Sequence, residues 1–163
     1  MFLACCSAYA QSAILYDYIP ANNSGTGIFN LGKNKVYAVL KTNISTGEKD
    51  GYITFITSDT GTGDGEGHIA FDEIPAVIEM LNYAQDNLVG TSPKTEKQLV
   101  FVSHDDTRFG VRFNNLANGG WFLFCIPDGY ASQYTSVKAS EIPKFLTFIK
   151  DSEAKIQEHI SSN

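Results

Sequence analysis

The chain has 163 residues, of which 43% are hydrophobic and 12% aromatic, enough to build the core of one domain or of two small units that share a core. Its net charge of −6 disfavours a general nucleic-acid binder, which needs Lys and Arg to replace phosphate counterions. No apolar run is long enough to span a membrane as a helix. The 14 glycines and 18% charged residues favour a protein of strands and turns over a coiled coil or a disordered chain.

The N-terminal residues 1–12 are mostly small and apolar, and they predict the remnant of a secretory signal peptide. Ala8-Tyr9-Ala10 is an A-x-A cleavage pattern, which would make Gln11 the first residue of the mature protein. No Lys or Arg precedes the apolar stretch, which departs from that pattern, and a buried N-terminal strand is the alternative. We favour the signal peptide and therefore expect an exported bacterial protein, either periplasmic or secreted.

Cleavage before Gln11 would leave Cys125 as the one remaining cysteine, so no internal disulfide is expected. Cys125 lies in the apolar run from Trp121 to Ile126, which predicts a buried strand. This thiol could be a reactive nucleophile, but a buried structural cysteine is the favoured interpretation, because such cysteines behave as small hydrophobic residues.

Residues 13–90 predict a first unit of strands that ends in a helix. Segments rich in β-branched and aromatic residues, or alternating apolar with polar ones, predict strands at residues 14–19, 35–43 and 52–57. Turn residues predict connections at 21–27, 46–51 and 59–67. Residues 68–71 lead into the first helix, which we expect to end between Asn87 and Gly90.

A polar linker at residues 91–96 precedes a second unit at residues 97–163, with strands expected at 98–103, 108–114 and 121–126. Gly51-Tyr52 and Gly120-Trp121 are similar pairs and are expected to begin corresponding strands. The last helix is expected to continue past Lys150, with Ile156 and Ile160 on its inner face.

The two helix starts repeat one pattern, Asp72-Glu73-Ile74-Pro75 and Ser140-Glu141-Ile142-Pro143, and apolar residues with helical spacing follow each copy. We predict Asp72 and Ser140 as N-caps, with Pro in the first turn, where its missing amide hydrogen costs no helical bond. N-terminal capping and the helix dipole explain the two Glu residues better than a catalytic pair does. The repeat predicts an α+β fold: two tandem repeats of a small antiparallel sheet followed by one helix, packed with pseudo-twofold symmetry into one compact domain.

Asp59-Thr60-Gly61 follows an apolar strand and matches the triplet of aspartic proteases, which need two carboxylates that share a proton. The second unit has Pro127-Asp128-Gly129 in the corresponding place and lacks the triplet. A hydrolase that uses Asp59 is therefore the weakest of three functional hypotheses, and we predict no catalytic residues.

No cofactor or metal site is predicted from the sequence. Asp59, Asp64 and Glu66 could offer oxygen ligands to calcium, but their spacing does not match an EF-hand loop and favours a flexible hairpin tip. His104-Asp105 could act as an acid/base pair, although two polar turn residues are the simpler interpretation.

The order of strands and helix in each unit resembles the Whirly-type folds that bind single-stranded DNA, which include PUR repeats and positive-cofactor-type coactivators. The resemblance lies in Leu31–Tyr37, Tyr52–Phe55 and Gly67–Phe71 leading to the helix, and it repeats from residue 98 to 156. It implies curved sheets whose basic and aromatic residues stack on bases. The residues that could take these ligand-binding positions are Lys35, Tyr37, Tyr52, Arg108, Arg112 and Trp121.

The leading hypothesis is an exported, non-enzymatic binding or interaction domain with a protein or peptide partner, held at an exposed sheet edge or in a groove between the helices. A single-stranded nucleic-acid-binding protein of Whirly type is the alternative, which the acidic balance makes the weaker one.

The signal-peptide hypothesis predicts that the native protein lacks its first ten residues and is found outside the cytoplasm. Intact mass spectrometry on fractionated cells measures both properties. A cytoplasmic protein that retains Met1 would contradict export and would make residues 1–12 part of the folded chain.

Overall fold

The computed structural model of this chain describes residues 13–20, 29–31, 34–57, 65–114, 119–126 and 135–162. The predicted signal peptide and the loop with Asp59 and Asp64 lie outside these residues. The first sheet contains five antiparallel strands: β1 Ile14–Pro20, β2 Phe29–Leu31, β3 Asn34–Asn43, β4 Lys49–Thr57 and β5 Gly65–Ala70. Its order is β1-β3-β4-β5, and the short β2 pairs with β3 beyond the end of β1.

The second sheet is an antiparallel meander of four strands in chain order: β6 Gln98–Val102, β7 Arg108–Asn114, β8 Gly120–Ile126 and β9 Thr135–Lys138. A one-turn 3₁₀ helix and then an α-helix follow each sheet. They are Phe71–Glu73 with α1 Ile74–Asn87, and Ala139–Glu141 with α2 Ile142–Ser161. The predicted α+β class, with two tandem sheet-and-helix units, is thus confirmed. None of the described helices is long and apolar enough to cross a membrane.

Each helix packs on strands of the other unit. Helix α1 packs against β6 and β7 of the second sheet, α2 packs against β3 and β4 of the first, and the two helices also contact each other. Amphipathic helices and sheets are stable only when their apolar faces are covered. Since the helix of each unit covers the sheet of the other, the stability of each unit depends on the other unit.

A cluster of three phenyl rings connects the two units in the core. Phe55 of β4, Phe109 of β7 and Phe145 of α2 are all fully buried. Their ring centroids lie 5.1 to 6.2 Å apart, within the range of favourable aromatic contact. Burial of each ring contributes roughly 1.5–3 kcal/mol.

The predicted N-caps are wrong. Asp72 and Ser140 lie inside the one-turn 3₁₀ helices, and Glu73 and Glu141 occupy the N-cap positions of α1 and α2 without capping hydrogen bonds from their side chains. The predicted Pro in the first helical turn is confirmed in both helices. An extra tight turn precedes each α-helix and moves its N-cap by one residue from the predicted position, which local sequence preference does not reveal.

Tyr52 and Trp121, which begin similar sequence pairs, do not occupy equivalent positions. Tyr52 lies opposite Ala70, the residue before the first one-turn helix, whereas Phe122 lies opposite Lys138, the residue before the second. Phe122 therefore corresponds to Tyr52. Since a shift of one residue turns a strand side chain to the other face, Trp121 points into the core and is only 6% exposed.

Gly51 holds the place in the first unit that Trp121 holds in the second. A Cβ atom at position 51 would lie 2.6 Å from Ile156 Cγ2 on α2, so the glycine permits close helix approach. Helix α1 has 14 residues against 20 in α2. Just beyond the end of α1, Trp121 donates its indole N–H to the Thr91 carbonyl at 3.1 Å. In the second unit the Trp121 side chain thus reaches the end of the shorter helix α1, whereas in the first unit Gly51 leaves room for the longer helix α2.

The close approach at Gly51 predicts that Gly51→Ala lowers the free energy of unfolding by about 1–3 kcal/mol through overpacking. Chemical denaturation of the variant measures this loss. Gly119→Ala is the matched control, because the nearest atom to its added Cβ would be the Asn114 carbonyl oxygen at 3.4 Å, an ordinary van der Waals contact.

In a double-mutant cycle, Gly51→Ala and Ile156→Ala should couple by more than about 0.5 kcal/mol, since the second change removes the clashing atoms. Additive losses would contradict direct packing of α2 on Gly51.

Candidate binding site

The outer face of the first sheet gathers four tyrosines. Residues directly opposite each other in antiparallel strands share a face, and the register places Tyr16 opposite Lys41, Tyr18 opposite Val39, and Val39 opposite Tyr52. Tyr37 belongs to the same face by strand alternation. We call this surface the tyrosine face; its other described members include Lys35, Asp50, Thr54, Glu66 and His68.

Aromatic contacts order the tyrosine face. The Tyr18 and Tyr37 rings meet edge to face with centroids 5.8 Å apart, and the Tyr52 and His68 rings do so at 4.7 Å. Val39 is fully buried although it lies on this face, so the side chains around it cover it. The result is a surface of amphipathic rings held in place by each other.

Burial raises the pKa of the Tyr52 phenol, and the nearby Tyr18 and Glu66 raise it further. The hydroxyl therefore remains protonated at physiological pH and is available as a neutral hydrogen-bond donor and acceptor.

A cleft of about 470 Å³ opens at one end of this face. Its lining combines aromatic rings with charged groups of both signs: Tyr16, Lys41, Asp50, Tyr52, His68 and Asp72. A second cleft, of about 360 Å³, lies at the corresponding place in the second unit beside Trp121 and Lys138.

His68 joins the first sheet to the second unit. Its backbone N–H donates to Asp105 Oδ2 and to Thr107 Oγ1, both at 3.0 Å. Its ring Nδ1 also lies 3.0 Å from Asp105 Oδ2, and Nε2 lies 3.0 Å from Glu66 Oε1 without hydrogen-bond geometry. Since both ring nitrogens face carboxylates, neither is presented to a substrate, and this arrangement suits a structural link better than a general base.

Hydrogen bonds hold Asp105 as a carboxylate. Partial burial opposes its ionisation, but the hydroxyls of Ser103 and Thr107, the Thr107 amide and the nearby His68 outweigh it, so the pKa of Asp105 lies below its ordinary value. Asp105 therefore pairs with His68 of the first unit, and its sequence neighbour His104 turns instead to Glu73.

Glu73 forms a second polar connection between the units. Its carboxylate is 7% exposed and accepts from the Ala70 N–H and the His104 N–H, both at 2.8 Å. Two charge-assisted hydrogen bonds offset the cost of burying this charge. The corresponding Glu141 pairs with Lys144 at the surface instead, at 2.8 Å.

Three of the six predicted ligand-binding residues lie on one surface: Lys35, Tyr37 and Tyr52 all belong to the tyrosine face. Arg108 and Arg112 lie on the second sheet, where Arg112 pairs with Glu96 at 3.0 Å. Trp121 lies in the core, with its indole N–H bonded to Thr91.

The other candidate positions are placed as follows. Glu66 lies on β5 beside His68 and accepts from Thr54 Oγ1 at 3.0 Å, whereas Asp59 and Asp64 lie outside the described residues. In the described part of the chain, no group of three His, Cys, Asp or Glu residues is arranged to hold a metal ion. Cys125 is buried, and burial raises the pKa of its thiol.

Sequence reasoning overlooked Tyr16, Tyr18 and His68 as members of this site. Tyr16 and Tyr18 are two residues apart on a strand, a spacing that puts both on one face. Their shared face could therefore have been predicted from the sequence. The contact of His68 with Asp105 spans 37 residues and has no local signal.

Comparison with known proteins adds no assignment, since no protein-family model and no curated protein matches this chain.

The contacts of Asp105 predict a pH-dependent contribution to stability. Because its pKa is lower in the folded state, the carboxylate stabilises the protein above the ordinary pKa, and this contribution is lost as pH falls through the folded-state pKa. Asp105→Asn should lower the free energy of unfolding by about 1 kcal/mol near neutral pH, a value reduced for solvent exposure.

Urea unfolding from about pH 7 down to about pH 3 measures this effect, and the difference between wild type and variant should shrink towards the acid end. Asp106→Asn is the control, because Asp106 has a positive φ of 60° that Asn also tolerates. An Asp105→Asn effect that is independent of pH would contradict the assigned role of the carboxylate.

Proposed function

We propose that this chain is an exported, non-enzymatic binding domain that holds a protein or peptide partner at strand β1 and the adjoining tyrosine face. The observation that carries the proposal is the exposure of β1. Of the seven large hydrophobic side chains exposed in the described part of the chain, four lie on this strand: Ile14, Leu15, Tyr16 and Tyr18.

Ile14, Tyr16 and Tyr18 lie together on one face of β1, and the exposed Leu15 lies at the same sheet edge on the other face. They are 38 to 57% exposed and occupy neighbouring positions on one strand. Single exposed hydrophobic residues are common on protein surfaces, whereas contiguous apolar patches usually mark interaction sites. The clustering therefore favours a partner at β1.

The chemistry of the tyrosine face suits a polypeptide partner. Tyrosine is enriched in protein interfaces because it offers a large, rigid contact surface together with one hydroxyl group. Tyr16, Tyr18, Tyr37 and Tyr52 supply four such surfaces on one side of the sheet. Lys41 and Asp50 lie opposite each other among them, so the face carries both charge signs.

A single-stranded nucleic acid is the second candidate ligand. Lys35 and Lys41 on the tyrosine face favour it, since bases stack on aromatic rings and cationic groups follow the phosphates. Asp50 and Glu66 on the same face oppose it, because they repel phosphate. The balanced charge of the face is the reason to place a polypeptide first.

Selection from a library of short random peptides tests the proposal. Peptides that bind the wild-type protein should lose at least about tenfold in affinity for the double variant Tyr16→Ser/Tyr18→Ser, because truncation of two interface tyrosines removes buried contact area. Fluorescence anisotropy measures the affinity, and circular dichroism checks that each variant is folded.

Tyr83→Ser is the matched control, since Tyr83 lies on α1 and is 53% exposed. A poly-thymidine oligonucleotide at low salt forms the second arm of the experiment. Oligonucleotide binding that depends on the same tyrosines, with no peptide selected, would replace the proposal by the nucleic-acid candidate.

A further inference from the structure

Among the strands that the structure describes, β1 pairs with β3 alone, so one edge of its backbone has no strand beside it. The Ala13 carbonyl accepts from the Ile44 N–H at 2.9 Å, and in an antiparallel pair the residues that bond to one neighbour alternate with those that point away. Leu15, Asp17 and Ile19 therefore direct their backbone groups to β3. The amides and carbonyls of Ile14, Tyr16 and Tyr18 point to the open side, where no other described strand pairs with β1.

The opposite edge of the same sheet is covered at His68 by the second unit. There, the outward N–H of His68 on β5 is held by Asp105 and Thr107 of the second unit, at 3.0 Å each. Proteins protect sheet edges because unpaired backbone groups recruit further strands. Protection at β5 and exposure of apolar side chains at β1 make β1 the edge that is open for pairing among the described strands of the first sheet.

The side chains of β1 specify what an added strand would carry. Tyr16 and Tyr18 lie on the tyrosine face, and the exposed Asp17 lies between them on the other face with Leu15. Cross-strand neighbours of opposite charge stabilise a pair, as do apolar and aromatic pairs. A complementary strand therefore has apolar or aromatic residues beside the tyrosines and a Lys or Arg opposite Asp17.

We infer that β1 extends the first sheet by accepting an extended peptide segment of a partner protein, with a basic residue opposite Asp17 and apolar or aromatic residues at the alternating positions. The inference rests on the proposed function and specifies its mode and its partner. Main-chain hydrogen bonds to Ile14, Tyr16 and Tyr18 supply affinity in this mode, and alternate side chains supply specificity. The net charge of −6 also favours a basic partner.

A second copy of this chain fits the edge less well than such a peptide. Antiparallel pairing of two β1 strands over their full length places Asp17 opposite Asp17, and directly opposed like charges destabilise a strand pair. Pro20 has no N–H to donate, so the donors available to a partner end at Tyr18.

N-methylation scanning of a peptide selected by the wild-type protein tests strand addition. Each peptide in the scan carries one methylated amide. Methylation at alternate positions should weaken binding about tenfold, because those amides bond to β1. Methylation at the positions between them should change the affinity less than about twofold. Hydrogen exchange should show protection of the Ile14, Tyr16 and Tyr18 amides in the complex.

A charge exchange tests the partner chemistry. Asp17→Lys should weaken binding of the selected peptide roughly threefold at low salt, and replacement of the peptide's basic residue by Glu should restore it. Asp86→Lys, on the exposed face of α1, is the control for net charge.

The outcomes separate this inference from the proposed function. Strand addition by a basic segment is supported if methylation weakens binding at every second position of the peptide and if an acidic residue in the peptide restores binding to Asp17→Lys. Peptides that bind through Tyr16 and Tyr18 without this period overturn the inference and leave the proposed function standing. A dimer in sedimentation that protects the same three amides overturns the choice of partner, and failure to select any peptide overturns both proposals.

Discussion

The packing of each helix on the other unit's sheet is the constraint on which the rest of the structure depends. Phe145 of α2 places its ring against Phe55 of the first sheet and Phe109 of the second, so one side chain closes the core of both units. Because each sheet needs the other unit's helix to cover apolar residues, neither unit has a complete core of its own. The repeated pattern in the sequence thus produces two halves of one core.

This packing also decides which surfaces remain open. It brings the turn that contains Asp105 against β5, where it holds the outward His68 amide, and it places His104 over the buried Glu73. The second unit thereby covers the first unit at His68 on β5 and at Glu73, just before α1. Ile14, Leu15, Tyr16 and Tyr18 of β1, at the opposite edge of the first sheet, remain exposed to solvent.

Much of the secondary structure could be predicted because it depends on local periodicity. The bounds of β7 and the end of α1 agree with the predictions, and Ile156 is buried as its helical spacing predicts. The strand β9 was not predicted, since Thr135–Lys138 is short and carries a single aliphatic residue. The predicted capping role of Asp72 was wrong because a one-turn 3₁₀ helix has no distinctive pattern.

The sequence by itself determined the class of fold and the two repeats, because strand and helix periods are written in neighbouring residues. Only the tertiary structure decided that Tyr52 lies on the outer face while Trp121 lies in the core, that Asp105 meets His68, and that β3 is the one described strand paired with β1. These outcomes depend on which strands pair and in which register. Since a shift of one residue exchanges the two faces of a strand, local pattern cannot settle them.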